Sequence, residues 1–176
     1  MLKSVIIRQE NPADYPIVFD LIKESFKNEE HTDHQEQFLV ERLRSSDDFV
    51  PELSLVAEID GEVVGYILLT KVKIIGKEVV GSLAMAPVAV LPEYQNQGIG
   101  GKLIVAAHNK AKEFGFESVI VLGHEGYYPK FGYKLAESFG IRPPFDVPSK
   151  NFMAIELVDE ALEDVEGVVK YAEEFG

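Results

Sequence analysis

Val88-Ala89-Val90-Leu91-Pro92-Glu93-Tyr94-Gln95-Asn96-Gln97-Gly98-Ile99-Gly100-Gly101-Lys102-Leu103 decides how this 176-residue chain is read. An apolar strand end passes through a short Gln/Gly loop into an amphipathic helix. Backbone N–H groups at a helix start lack intrahelical partners and sit at the positive end of the helix dipole, so such a junction attracts phosphate. Glycines there remove the Cβ atoms that would hold a diphosphate away from the main chain. Two well-known phosphate loops do not fit. A P-loop ending at Gly101-Lys102 requires Gly at 96 and Ser or Thr at 103, where the sequence has Asn96 and Leu103. A dinucleotide fingerprint through Gly98 and Gly100 requires Gly or Ala at 103 and meets Leu103. An ordinary glycine-rich turn is the competing explanation, since such turns are common.

Composition bounds the function classes. The apolar fraction of 46% and the charged fraction of 27% are those of a globular protein, and the length suits one domain over residues 1–176. Residues 159–176 read as an acidic extension. No apolar run approaches the roughly 18 residues of a membrane span, and the start is too short in apolar residues for a signal peptide. A net charge of −13 argues against nucleic acid, because phosphate neutralisation needs a basic face. The same charge favours cationic small molecules such as amines, although acidity also serves solubility. With no cysteine, disulfides, thiolate metal sites and a cysteine nucleophile are excluded. A cytoplasmic protein is expected.

Residues 3–8 read as a first strand. Asn11-Pro12-Ala13-Asp14 supplies an N-cap, a Pro at N1 and an acidic N3 residue, and Val18, Leu21, Ile22 and Phe26 form the apolar stripe of the helix that follows. Thr32 and Gln35 suggest a capping box for a second helix that buries Leu39 and Leu43. Strands are expected over 53–59 and 62–73, joined by a type I′ hairpin at Asp60-Gly61, and over 78–90. Pro87 lacks the ladder donor and marks an edge, a bulge or a parting of strands. The helix over 98–114 is expected to bury Leu103, Ala107, Ala111 and Phe114, with His108 on its polar face. Residues 118–122, uniformly apolar, read as a parallel strand covered on both faces. A short helix near 127–131 and a strand over 151–158 follow. Residues 168–171 fit an edge strand or an amphipathic helix.

The loop pattern Gln95-x-x-Gly98-x-Gly100, behind a Val-x-Val strand end, resembles motif A of the GNAT family, the Gcn5-related N-acetyltransferases. A second stretch, Gly123-His124-Glu125-Gly126-Tyr127-Tyr128-Pro129-Lys130-Phe131-Gly132-Tyr133, is similar to the family motif F-Y-x-K-x-G-F, which it meets at Tyr128, Lys130, Gly132 and Tyr133. The stretch from Val50 and the Tyr-Tyr-Pro-x-Phe-Gly-Tyr form resemble the YhbS-type branch of predicted N-acetyltransferases over nearly the whole chain. The resemblance implies a mixed α/β fold of GNAT type. Its central sheet is mostly antiparallel, with a parallel βαβ cofactor site and splayed fourth and fifth strands.

The implied chemistry is transfer of acetyl from acetyl-CoA, as co-substrate and without a metal, to an amine in a ternary complex. The resemblance places Val88, Ala89, Val90, Gln95, Asn96, Gln97, Gly98, Ile99, Gly100 and Gly101 at the cofactor and makes Tyr128 the general acid beside the sulfur. Tyr127 reads as packing, and Lys102 and Lys130 as solvated or phosphate-facing. Candidates for the base are Glu29, Glu30 and His124, the first two beside His31 and His34. The two histidines, three apart without a partner cluster, do not make a metal site. The acceptor is a small-molecule amine or a peptide N-terminus, with residues 27–33 and 138–147 expected to shape its pocket and a homodimer left open. The rival reading is a catalytically silent CoA-binding sensor or interaction module.

Overall fold

The computed structural model describes residues 4–30 and 32–176, and its nine strands form one sheet. The order runs β1 (Ile6–Gln9), β2 (Phe49–Ile59), β3 (Glu62–Ile75), β4 (Val79–Val90), β5 (Ser118–Leu122), β8 (Phe152–Glu156), β6 (Lys134–Leu135). Off this path, β9 (Gly167–Lys170) pairs with the end of β3 and with β7 (Ile141–Arg142). Pairing is antiparallel except for β4 with β5 and β7 with β9.

The middle of the sheet is covered on both faces, which is why residues 63–70 are all buried, Thr70 included. Successive side chains of β3 alternate between two cores. Tyr66 and Leu68 face the helices α1 (Tyr15–Phe26) and α2 (Glu36–Arg44) with Val18, Ile22, Val40 and Leu43. Ile67 and Leu69 face α3 (Ile99–Glu113) with Leu103, Ile104, Ala107 and Ala111. Gly65 lets α3 come close, since a Cβ there would lie 3.0 Å from a Leu103 methyl.

A buried polar cluster locks the α1–α2 layer to the sheet. Arg44 donates to both Glu10 oxygens at 3.2 and 2.6 Å, and the Ser54 hydroxyl donates to Glu10 at 2.7 Å and meets the Tyr66 hydroxyl at 2.7 Å. The Arg44 guanidinium also lies 3.9 Å over the Tyr15 ring. Each buried charge thus has a partner, the condition under which burial of ions is tolerated.

Several sequence expectations hold and others need correction. Asn11 caps as expected: its side chain accepts from Ala13 N, and Asp14 accepts from Asn11 N, opening a 3₁₀ turn that leads into α1. Asp60 and Gly61 both have positive φ, 52° and 79°, as a type I′ hairpin requires. The Thr32–Gln35 capping box does not form. Gln35 is the N-cap without a side-chain capping bond, while the Thr32 hydroxyl bonds the Glu36 carboxylate and accepts from His34 N.

Phe114 is exposed because α3 ends before it. The chain reverses through Gly115 at φ 84°, and Phe116 takes the core position instead. His108 is buried, not on a polar face. Pro87 sits at a register shift, where Ala86 and Pro87 together oppose Leu68. Residues 168–170 of the 168–171 segment belong to a strand, β9, and Tyr171 follows its end. Lys3 and His31 lie outside the described residues.

Candidate active site

Two geometric facts frame the site. First, β4 and β5 are paired only at Leu83–Val119 and Ala84–Ile120. Beyond Ala84, β4 continues to Val90 beside β3 alone, and β5 continues to Leu122 beside β8 alone. The two parallel strands therefore fork, and the β4 edge facing the fork carries peptide groups without a strand partner. Second, β4 leads through the loop into α3, so the unpaired N–H groups at the helix start lie at the same end of the strand.

The loop glycines serve two different purposes. Gly98 is the N-cap with φ 83°, left-handed backbone that glycine adopts without penalty, and open space surrounds the Cβ it lacks. A Cβ on Gly100 would lie 3.2 Å from the Tyr127 hydroxyl, and one on Gly101 would lie 3.2 Å from the Phe131 ring. Gly100 and Gly101 thus admit the Tyr127–Phe131 aromatics against the helix start, whereas Gly98 leaves an exposed main-chain approach. The first helical bond from this end is Lys102 N to Gly98 O at 3.1 Å, so the amides of Ile99, Gly100 and Gly101 have no partner within the helix.

The glutamines brace the loop. Gln95 Nε2 donates to Val90 O at 3.0 Å and Gln97 Nε2 donates to Glu93 O at 3.4 Å. Ser25 Oγ lies 3.0 Å from Val90 O and 2.8 Å from Leu21 O, so its single proton is shared between the two carbonyls. Asn96 holds a left-handed φ of 63°. Val88 and Val90 pack toward the α3 core and Ala89 toward the α1 core.

After β5 the chain enters a 3₁₀ turn, Tyr128–Phe131. The Tyr128 ring lies on Gly123, is crossed edge-on by Tyr127 at 5.1 Å and by Tyr133 at 5.7 Å, and has its acidity suppressed. Burial, with a smaller contribution from Tyr127, pushes the phenol up to about 12, so it holds its proton at neutral pH. Asn151 fixes Gly123 from both sides: Gly123 N donates to Asn151 O at 2.8 Å and Asn151 Nδ2 donates to Gly123 O at 3.1 Å. Tyr133 in turn meets His108 Nε2 at 2.8 Å. Burial pushes the His108 ring down to about 4, so it is neutral.

Of the base candidates, Glu29, Glu30 and His124 are all exposed. His124 Nδ1 accepts from Gly126 N at 3.0 Å. Lys102 and Lys130 are exposed, and Lys130 lies 4.8 Å over the Tyr127 ring. Among the described residues no three His, Cys, Asp or Glu side chains group as metal ligands, and no helix is long and apolar enough to cross a membrane.

At the fork opens a cavity of about 990 Å³. Ala84, Met85 and Ala86 of β4 and Ile120 and Leu122 of β5 form its floor, and Phe145 with residues 168–173, 175 and 176 closes it from outside. Pro144 and Phe145 come from the 138–147 segment the sequence singled out, whereas none of residues 27–30, 32 and 33 lines it.

The model of the acetyltransferase (GNAT) family matches residues 17–133, spanning the fork, the loop and the Tyr128–Tyr133 motif. The chain belongs to the GNAT acetyltransferase family. It is 34% identical over 172 residues to the uncharacterized N-acetyltransferase YhbS of Escherichia coli K12, covering 97% of this chain and 98% of that one. The crystal structure of Escherichia coli YhbS in complex with CoA superposes with a TM-score of 0.89 at 32% identity, over 99% of this chain and 93% of that chain. A GNAT acetyltransferase from Brucella melitensis, in complex with acetyl-CoA, superposes with a TM-score of 0.81 at 29% identity, over 99% and 100%.

Within this GNAT frame, sequence reasoning passed over Gly123 and Asn151. The first is signalled only by the tyrosine five residues on, and the second only by its position before β8.

Proposed function

We propose that this chain binds acetyl-CoA in the β4–β5 fork and transfers the acetyl group directly to a primary amine held in the adjoining cavity. The observation that carries the reading is the fork itself. It leaves unpaired β4 peptide groups at the mouth of a cavity and sets them at the end of the strand that runs into the α3 N-terminus. Amides at Gly98, Ile99, Gly100 and Gly101 suit a diphosphate, and the β4 edge suits the amide-bearing arm of the cofactor as an added strand. The CoA and acetyl-CoA held by the two relatives support the same assignment.

Tyr128 is the proton donor. The amine nitrogen bonds to the acetyl carbon, the carbon–sulfur bond breaks, and Tyr128 presents its O–H to the departing sulfur. A thiol of pKa about 8.5 is a stronger acid than this phenol by roughly three orders of magnitude. The tyrosine therefore acts chiefly through a hydrogen bond that strengthens as charge develops on sulfur. The amine proton leaves to solvent, past the Glu173 carboxylate that lines the cavity; Glu29, Glu30 and His124 do not line it.

The test is to mix purified protein with acetyl-CoA and a panel of amines and to follow free thiol. The chain contributes no cysteine background. Release of CoA stoichiometric with acetylated amine is expected. Tight CoA binding with no turnover on any amine establishes the sensor reading instead, and absence of CoA binding removes both.

A further inference from the structure

We infer that the acceptor is a monocationic amine on an apolar, ring-bearing body, an arylalkylamine rather than a polyamine or an aminosugar. This rests on the acetyl-transfer reading above and names the substrate class of the same site. The net charge of −13 points toward cations in general, but the cavity at the fork is selective in a different sense. Among the side chains that line it, Glu173 is the sole carboxylate and Lys170 the sole cation. A polyamine or an aminosugar carries several ammonium or hydroxyl groups, and for these the lining side chains offer as acceptors only the Glu173 carboxylate and the Tyr171 hydroxyl, beside main-chain carbonyls. Desolvating such groups without partners is costly, whereas a single amine directed at the fork leaves the rest of the ligand to apolar contact.

The walls show the complementary feature. Phe145, Tyr171 and Phe175 form a connected aromatic run, with ring centroids 5.7 Å apart for the first pair and 5.2 Å for the second. Phe145 keeps 42% of its surface exposed, Leu122 45% and Ile75 40%, although all three face one concavity. Large apolar side chains left uncovered inside a cavity mark a surface that a ligand covers. Leu122 ends β5 at the fork, so an acetyl group delivered through the fork between Ala86 and Leu122 meets an amine whose body lies along the Phe145–Tyr171–Phe175 rings. Those rings select, and the fork reacts.

A matched amine series tests this. CoA binding is first measured by calorimetry on the full chain. Then kcat/KM is determined with saturating acetyl-CoA for ethylamine, hexylamine, phenethylamine, spermidine and kanamycin. Phenethylamine is expected to exceed ethylamine by at least about tenfold, the increment of burying one ring. Spermidine and kanamycin are expected to fall below phenethylamine. In Phe145→Ala the phenethylamine advantage shrinks about tenfold through KM, and Phe145→Leu, which keeps apolar volume, recovers part of it. Should Phe145→Ala fail to fold, calorimetric titration of phenethylamine into the CoA-loaded wild type decides. Binding with a negative heat-capacity change supports the class, and no binding overturns it. A preference for spermidine or kanamycin overturns the inference and leaves acetyl transfer standing. CoA binding without transfer to any amine in the series also overturns it, and loss of CoA binding removes the acetyltransferase reading as well.

Discussion

The Tyr128 ring lies against Gly123 so closely that a Cβ built on the glycine would sit 2.3 Å from Tyr128 Cε2. No real side chain tolerates that separation, so the seat of the proposed proton donor exists only because residue 123 is glycine. The peptide around it cannot yield, since Asn151 holds both its N–H and its C=O. Gly123→Ala must therefore displace the tyrosine ring. A shift of about 1 Å at a reacting group lowers rate by roughly 10²-fold, and kcat of the variant is expected to fall by that order. The thermal midpoint should drop as well, because overpacking costs about 1–3 kcal/mol. Steady-state kinetics with a full kcat would show that the Tyr128 position is immaterial.

Removing only the hydroxyl separates chemistry from packing. Tyr128→Phe keeps the edge-on contacts with Tyr127 and Tyr133. A positioned proton donor is typically worth about 10²–10⁴ in rate, so kcat should fall within that range while the far-ultraviolet spectrum and thermal midpoint hold. Full activity in Tyr128→Phe would end the acid assignment.

The pH profile follows from the same residue. Burial holds Tyr128 protonated up to about 12, so its loss of a proton produces no descending limb in the accessible range. An alkylamine with pKa about 10.4 becomes reactive only as it deprotonates, so kcat/KM should climb about tenfold per pH unit from pH 6.5 toward 10. A maximum near pH 8 to 9, followed by decline, would mean that a different acid serves the sulfur.

At the phosphate loop, backbone conformation and space can be separated at one position. Gly98 has φ 83° with nothing near its missing Cβ, and asparagine is the side chain that best tolerates left-handed backbone. Gly98→Asn is expected to cost under about 1 kcal/mol of stability, as asparagine already does with φ 63° at Asn96. Its side chain nonetheless stands where a diphosphate would approach the amides, so the CoA dissociation constant should rise at least about tenfold by calorimetry. Unchanged affinity would clear residues 97–101 of any role in holding phosphate.

The family and the mixed sheet were legible because they rest on local signals. The 95–100 loop, the Tyr128–Tyr133 motif and the Asp60-Gly61 turn each act within a few residues, where spacing and turn chemistry decide geometry. What escaped depends on contacts between distant segments. Leu122 reads as one more apolar residue of a covered strand, yet it is exposed because β4 has already left β5. Phe114 satisfies the helical spacing of Leu103, Ala107 and Ala111, but the helix stops first and Phe116 replaces it. Gln95 carries the motif, yet its amide is spent on Val90 O, a bond that no one-dimensional pattern reveals. The apolar cavity was the least visible feature. Its walls come from β4, β5, residues 144 and 145, and residues 168–173, 175 and 176, and the net charge pointed only to a cation.

His108 supplies a stability prediction independent of catalysis. It is 9% exposed, bonds the Tyr133 hydroxyl at 2.8 Å, and is pushed by burial from 6.5 down to about 4. Above pH 6.5 the ring is neutral in folded and unfolded chains alike, and its contribution is fully present. As pH falls from 6.5 to about 4, the unfolded chain takes up a proton that the folded chain refuses, so stability is lost through that window. The full loss is on the order of 3 kcal/mol. His108→Gln offers Tyr133 a polar partner that does not titrate, so its unfolding free energy should fall less steeply than the wild type's between pH 6.5 and 4. His108→Leu, which strands the buried Tyr133 hydroxyl, should instead be less stable by about 1–3 kcal/mol at every pH. Parallel denaturation curves for wild type and His108→Gln across that window would place the acid-sensitive group elsewhere in the chain.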